Sequence, residues 1–401
     1  MNKIFLNRLL ILSFILLLPT QFGKHFFLPF SYLSGVRIDY LALTLYVTDV
    51  LALLILIFNW KTLIVLLKNR YFLIFLGLIM VNIIFSLSKP LALYKTVKLL
   101  EAVGIFWVIS KEKLSYKLLL VALLIGALGE VTLSMSQLIG RHSLQGIFYF
   151  FGERYFTLGT PDIAKTSLNG VEILRPYGTF SHPNSQAGFY LLMYFFVLNF
   201  SKFNRHYWLK KALLTACALL IFFSFSKIAI IVFLLLNLVY YIYKKDGSRC
   251  VLCILSRFAI FLALALIFLT AKGDPLSLEK RITLTKNALV IFQQHPLFGV
   301  GLGNYLLGQN SFPSRYPYFF LQPVHNIFLL LLVEGGVMLM GYLIYLSWKK
   351  WGIKFIKKHL LVILAVVITG LFDHYWLTLQ QNLLLLPVVF GLLQQDARVV
   401  K

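Results

Sequence analysis

The chain has 401 residues, of which 60% are hydrophobic, 16% aromatic and only 13% charged, and its formal net charge is +24. Soluble domains carry roughly a quarter charged residues, so this balance points instead to an all-α polytopic membrane protein. The basic residues sit in short clusters between apolar runs and form no basic–aromatic groove, which assigns them to membrane topology and anionic lipid head groups and argues against nucleic acid.

In chain order, apolar segments fall at about 4–19, 41–59, 71–87, 91–109, 118–138, 185–200, 209–224, 228–243, 256–271, 326–347, 359–373 and 376–394. Read against the roughly 20 residues needed to cross the hydrocarbon core, they predict about 12 transmembrane helices in a single integral membrane domain, residues 1–401. The first segment lacks a small-residue cleavage site and is read as a retained span. Two places demand tight turns, Ser224-Phe-Ser-Lys227 and Asp373-His374. Cys217, Cys250 and Cys253 form no paired metal motif, and the Cys250-Val-Leu-Cys253 spacing has no thioredoxin-like context, so they are read as incidental.

Five basic connections set the orientation: Lys61 to Arg70, Lys111 to Lys117, Lys202 to Lys211, Lys244 to Arg257, and Lys349 to Lys358. A twelve-span count puts them all on one side with both termini, and the positive-inside tendency makes that side cytoplasmic. The two long connections, 139–184 and 272–325, then lie on the outer face. Loops of that length, rich in glycine, proline and aromatic residues, are expected to be ordered and to carry function.

Chemistry-bearing residues cluster on that face. Arg175-Pro-Tyr-Gly-Thr-Phe-Ser-His-Pro-Asn-Ser-Gln-Ala187 brings Arg175, His182 and Asn184 to the entry of an apolar segment, with Pro183 placed to start a helix. Lys227 is either a snorkelling anchor or a cation for a phosphate. After Arg281, the spacing of Ile282, Leu284, Ala288, Leu289 and Phe292 predicts an amphipathic helix along the membrane surface. Arginine there offers a planar fork for bidentate phosphate binding. His295-Pro-Leu-Phe-Gly-Val-Gly-Leu-Gly303 has no preceding strand and reads as a tight turn, not a dinucleotide site. His325-Asn326 stands at the mouth of the apolar run that follows. An unperturbed histidine titrates near pH 6.5 and so can accept a proton, and the competing reading is an interfacial helix cap. No metal-ligand set and no Gly-x-Ser-x-Gly nucleophile stands out, and with 14 acidic residues in all, metal-assisted chemistry is not expected. Cations, imidazoles and amides suit an anion held beside a neutral base.

Four features, in this order, resemble the O-antigen ligase / O-antigen polymerase-like membrane proteins. They are Arg175-Pro-x-Gly-Thr-Phe-x-His-Pro-Asn184, Ser226-Lys227, the run from Arg281 through Gly303-Asn304, and His325-Asn326 with Glu334-Gly-Gly336. The resemblance covers residues 170–345 by motif. It implies a GT-C type glycosyltransferase that moves or polymerises a glycan from an undecaprenyl-pyrophosphate carrier onto a glycan, lipid or protein hydroxyl, at the outer face of the bacterial cytoplasmic membrane, without metal or cofactor. By the same resemblance His325 is the base for the acceptor hydroxyl and Arg281 a pyrophosphate ligand. Lys227 stands where the family usually has a second arginine, which leaves Arg175 as a candidate for the missing fork. His182, Asn184 and Asn326 are the remaining candidate substrate contacts. Ligase and polymerase share these motifs and both stay open. A transporter of the same lipid-linked glycans is the alternative, disfavoured by the scarcity of charge inside the apolar segments and by the lack of repeated halves.

Overall fold

A computed structural model describes residues 3–168, 170–243, 276–312 and 321–398, together with Leu262, Leu266 and Thr270. The expected segment 256–271, the basic cluster Lys244 to Arg257, Cys250 and Cys253 fall largely or wholly outside the described residues.

The first helix, α1 (Lys3–Leu16), is followed by two small antiparallel ribbons. In one, β1 (Gly23–Phe26) pairs with β4 (Leu43–Tyr46), Gly23 opposite Tyr46; in the other, β2 (Tyr32–Leu33) pairs with β3 (Val36–Arg37). Sequence periodicity did not anticipate these strands. Each is four residues or fewer, and the pairing of β1 with β4 spans an entire loop. Next come α2 (Val47–Phe58) and α3 (Trp60–Leu67), bent by 81° at Asn59, whose side-chain amide donates to Asn7 Oδ1 at 2.7 Å and to the Ile55 carbonyl at 2.8 Å. Then follow α4 (Arg70–Ile84), α5 (Lys89–Ile109) and α6 (Tyr116–Gly140), and a hairpin of β5 (Lys165–Leu168) and β6 (Val171–Leu174). Beyond it lie α7 (Pro183–Asn199), α8 (Tyr207–Phe223), α9 (Lys227–Tyr243), α10 (Ser277–Gln294) and the short α11 (Tyr305–Gln309). The chain ends with α12 (Ile327–Lys358), α13 (Leu360–Phe372), α14 (Tyr375–Thr378) and α15 (Gln380–Arg398).

Among the described residues three helices, including α6, α12 and the stretch Ser201–Phe223 ending in α8, are long and apolar enough to cross a membrane, and the bent pair α2–α3 would make a fourth. Twelve crossings are therefore more than helix length and composition support here. At 12 and 13 residues, α2 and α13 run only about 18–20 Å, short of a hydrocarbon core of about 30 Å.

α7 organises the bundle. No residue in it is exposed, and it packs against α8, α9, α13 and α15. A helix apolar on every side belongs in the middle of a core, and Phe189, Tyr190, Phe195 and Phe196 fill that role. The connecting segments collect at its N-terminal end: Thr179 Oγ1 donates to the Pro19 carbonyl at 2.6 Å, the Gln21 amide to the Phe151 carbonyl at 3.2 Å, and Gln381 Nε2 to the Pro19 carbonyl at 2.7 Å. The opposite end gathers Asn7, Glu112, Asn199, Lys358 and Asp396. There Asn7 bonds Glu112 at 2.9 Å, Asn199 the Lys358 carbonyl at 3.1 Å, and Lys358 Nζ lies 2.6 Å from Asp396.

α12 is broken at Gly336, whose φ of +69° is left-handed and whose missing Cβ would lie 2.2 Å from the Leu297 carbonyl. The glycine turn after His295 inserts there. The Val300 amide donates to the Val333 carbonyl at 2.9 Å, and Asn82 Nδ2 donates to both the Phe298 and the Glu334 carbonyls, at 2.6 and 2.8 Å. The Glu334 carboxylate accepts from the Gly303 amide at 2.8 Å. Gly299, Gly301 and Gly303 all carry positive φ, so this motif is the packed turn its glycines predict. α10 forms where an amphipathic helix is expected, but it buries Leu284, Ala288 and Ile291 while Ile282 and Leu289 are exposed at 48% and 46%. The stripe at 284, 288 and 291 faces the protein, and the expected membrane-surface stripe is only part of the apolar set.

Candidate functional site

A buried helix still needs its first N–H groups satisfied, and α7 does this through the motif that leads into it. His182 is extended, its Nδ1 accepts from the Asn184 amide at 3.1 Å, and Pro183 occupies the first helical position. Arg175 cross-ties the entry. Its Nε donates to the Ser224 carbonyl at 2.9 Å and its Nη2 to Asn184 Oδ1 at 2.6 Å. Ser224 opens the tight turn between α8 and α9, where Phe225 has φ +53° and Lys227 is exposed as the first residue of α9.

The second half is built by the end of α13. Asp373 follows its last turn in extended conformation; its Oδ2 accepts from Asn184 Nδ2 at 3.0 Å and its Oδ1 from the His374 amide at 2.8 Å. His325 Nδ1 lies 3.8 Å from Asp373 Oδ1, beyond hydrogen-bond range but inside ion-pair range, and has no hydrogen-bond partner among the described residues. The His325 and His374 rings are 5.2 Å apart, and His374 Nδ1 meets Thr378 Oγ1 at 2.8 Å. Arg281, from α10, donates through Nη1 to the Phe372 carbonyl at 2.8 Å, which sets its guanidinium one residue from Asp373. Arg175, His182, Asn184, Arg281 and His325 thus converge from separate segments on one carboxylate.

Burial works against the charged form of Asp373, yet the surrounding imidazoles of His325, His374 and His182 hold it below the usual carboxylate range. Burial pushes His374 down to about 3, with the Arg281 and Lys280 charges adding to it. Burial and then the Arg175 charge push His182 down to about 3 as well. Both imidazoles are neutral at pH 7. Burial lowers Arg175 only to about 10, so it stays cationic. The cluster therefore offers two guanidinium groups for an anion, neutral imidazoles at His182 and His374, and a carboxylate beside His325.

His325, Asp373 and His374 each present one potential ligand atom within 4.8 Å of one another, a set that can hold a metal ion. The sequence contained no such pattern because two of the three come from the turn after α13. Lys280 and Arg281 press on His374, and Arg281 on Arg175, a surrounding that opposes a divalent cation.

Of the other expected residues, Asn326 caps α12, its Oδ1 accepting from the amides of Phe328 at 2.9 Å and Leu329 at 3.0 Å. Lys227 is linked to the cluster through the turn that Arg175 holds. Asp373, His374 and Tyr40 were not anticipated as members of this cluster. A carboxylate and an imidazole side by side between two apolar runs was the available signal, and it was read only as a turn. Tyr40, edge-on to His374 at 5.4 Å, comes from the unanticipated ribbon region.

Residues 212–345 match the family model described as O-antigen ligase. The matched stretch contains Lys227, Arg281, His325 and Asn326, and leaves Arg175, His182, Asn184 and Asp373 outside it. No curated protein matches the chain.

Proposed function

We propose that this chain, O-antigen ligase-like by its residues 212–345, is a membrane glycosyltransferase that moves or polymerises an oligosaccharide from an undecaprenyl-pyrophosphate carrier onto an acceptor hydroxyl at the outer face of the cytoplasmic membrane. The observation that carries this reading is the convergence of His325, Arg175 and Arg281 around Asp373. In the reaction, His325 takes the proton of the acceptor hydroxyl, whose oxygen attacks the anomeric carbon. The bond from that carbon to the pyrophosphate oxygen breaks, and the lipid pyrophosphate leaves with the electron pair. Arg175 and Arg281 hold the leaving group as its charge grows, and fixed charges aimed at developing charge are the largest contribution expected in such catalysis. The Asp373 carboxylate, 3.8 Å from His325 Nδ1, stabilises the positive charge that develops on the ring as it takes the proton. Because guanidinium groups do the work of a Lewis acid, the reaction is metal-independent.

The test is transfer by purified full-length protein in detergent, supplied with an undecaprenyl-pyrophosphate-linked glycan and an acceptor glycan, following release of undecaprenyl pyrophosphate. Release coupled to acceptor elongation, at a rate unchanged by EDTA, is expected. Elongation that EDTA abolishes and zinc or magnesium restores would assign the His325–Asp373–His374 set to a metal. No release with any carrier-linked donor would remove the glycosyltransferase reading.

A further inference from the structure

A cavity of about 930 Å³ lies beside the histidine cluster and not on its arginine side. That is the upper part of the range of small-molecule sites. His182 and Tyr40 line it, and Tyr40 also packs edge-on against His374 at 5.4 Å, so the cavity reaches the histidine cluster. One wall is residues 22–46, which carry β1 to β4; the facing wall includes Arg154 and Tyr155.

Most of the cations that line this cavity are already engaged with carboxylates. Arg37 and Arg154 both address Asp39, each at 3.7 Å, and Lys98 is ion-paired with Asp49. By contrast, the hydrogen bonds of Arg175 and Arg281 end on neutral oxygens, those of Ser224, Asn184 and Phe372. An anion is therefore drawn to the arginine side, while the cavity offers fixed hydrogen-bonding groups among aromatic rings, His25, Phe27, Tyr40, Tyr46 and Tyr155. That combination matches a neutral, polyhydroxylated ring with apolar faces. Tyr40 is firmly placed: its neighbours Ile38 and Leu41 are buried, the Ile38 amide donates to the Ser31 carbonyl at 2.9 Å, and Ser31 Oγ donates to the Leu41 carbonyl at 3.0 Å. Its hydroxyl makes no hydrogen bond to another described residue.

We propose that the cavity seats the sugar end of the acceptor, and that Tyr40, at the junction of cavity and histidine cluster, is the residue that selects and orients it. The wall that carries Tyr40 lies outside the matched stretch 212–345, so the segment that chooses the sugar is separate from the one that supplies His325 and Arg281. This inference rests on the glycan-transfer reading.

The test is saturation-transfer NMR of the full-length protein in detergent with methyl glycosides of a hexose, a 6-deoxyhexose and an N-acetylhexosamine, with inorganic pyrophosphate as competitor. At least one glycoside binds wild type, Tyr40→Ala weakens it about tenfold, and pyrophosphate leaves it in place. Tyr40→Phe, which keeps the ring and its packing, weakens binding about threefold and decides the matter where the alanine variant is misfolded. Binding of no glycoside, equal binding by wild type and both variants, or displacement by pyrophosphate would overturn the proposal. Should transfer depend on His325 while glycoside binding ignores Tyr40, only the cavity assignment falls. Tyr40-dependent glycoside binding without consumption of any lipid-linked donor would leave the sugar site standing and remove the transferase reading.

Discussion

Asp373 joins the two halves of the site, and its charge and its geometry can be separated. Asp373→Asn retains an oxygen for Asn184 Nδ2, now at 3.0 Å from the carboxylate, but removes the charge beside His325 and replaces the oxygen that accepts from the His374 amide with an NH2 group. Transfer should fall roughly a hundredfold in a variant that still unfolds cooperatively. A stable variant with wild-type transfer would show that Asp373 only closes the loop. His182 carries a pH dependence of opposite origin. Its folded value of about 3 lies below the ordinary histidine value, so the unfolded chain binds more protons between those limits, and stability falls as pH drops through that window. At pH 5 the loss is about 2 kcal/mol, because the histidine of the unfolded chain is protonated there while the folded one is not. His182→Asn keeps a capping acceptor that does not titrate. Melting curves from pH 7.5 to 5 should show the variant losing less stability than wild type, and parallel curves would contradict the assignment.

At the scale of elements, helix entries were readable and long-range pairings were not. Pro183 after His182 and Asn326 before an apolar run are local signals, and both mark helix starts. For Asn326 the cap reading accounts for its oxygen, which shows how the same residue type serves substrate contact and helix entry equally well in a sequence. β1 and β4 left no such signal, because four-residue strands owe their existence to a partner about twenty residues away. The break in α12 was half legible: Glu334-Gly-Gly336 stood out, but its partner turn at 296–301 becomes visible only in space. Gly336→Ala would force a Cβ against the Leu297 carbonyl at a left-handed φ. It should destabilise the protein by about 2–3 kcal/mol or more, seen as a lowered thermal midpoint, whereas Gly341→Ala, with nothing within 4 Å of its Cβ, should change little. Equal midpoints for the two would argue that the turn does not hold the kink.

For the whole molecule, composition alone identified a helical membrane protein, and the ordered motifs identified an O-antigen ligase-like stretch. The number of crossings was less legible, since buried helices such as α7 are as apolar as lipid-facing ones and hydropathy does not tell core from bilayer. The candidate site followed the same division. Residues embedded in motifs, Arg175, His182, Asn184, Arg281 and His325, could be singled out and lie together in the fold, while Asp373 and Tyr40, which owe their place to the packing of α13 and of the β1–β4 region, could not. The central claim is that His325 acts as the base in transfer from a lipid pyrophosphate. It is tested most directly by assaying purified His325→Ala beside wild type for both donor binding and transfer. The account predicts that donor binding persists within about threefold while transfer falls by roughly a hundredfold or more; full transfer by a variant that folds and binds donor normally would contradict it.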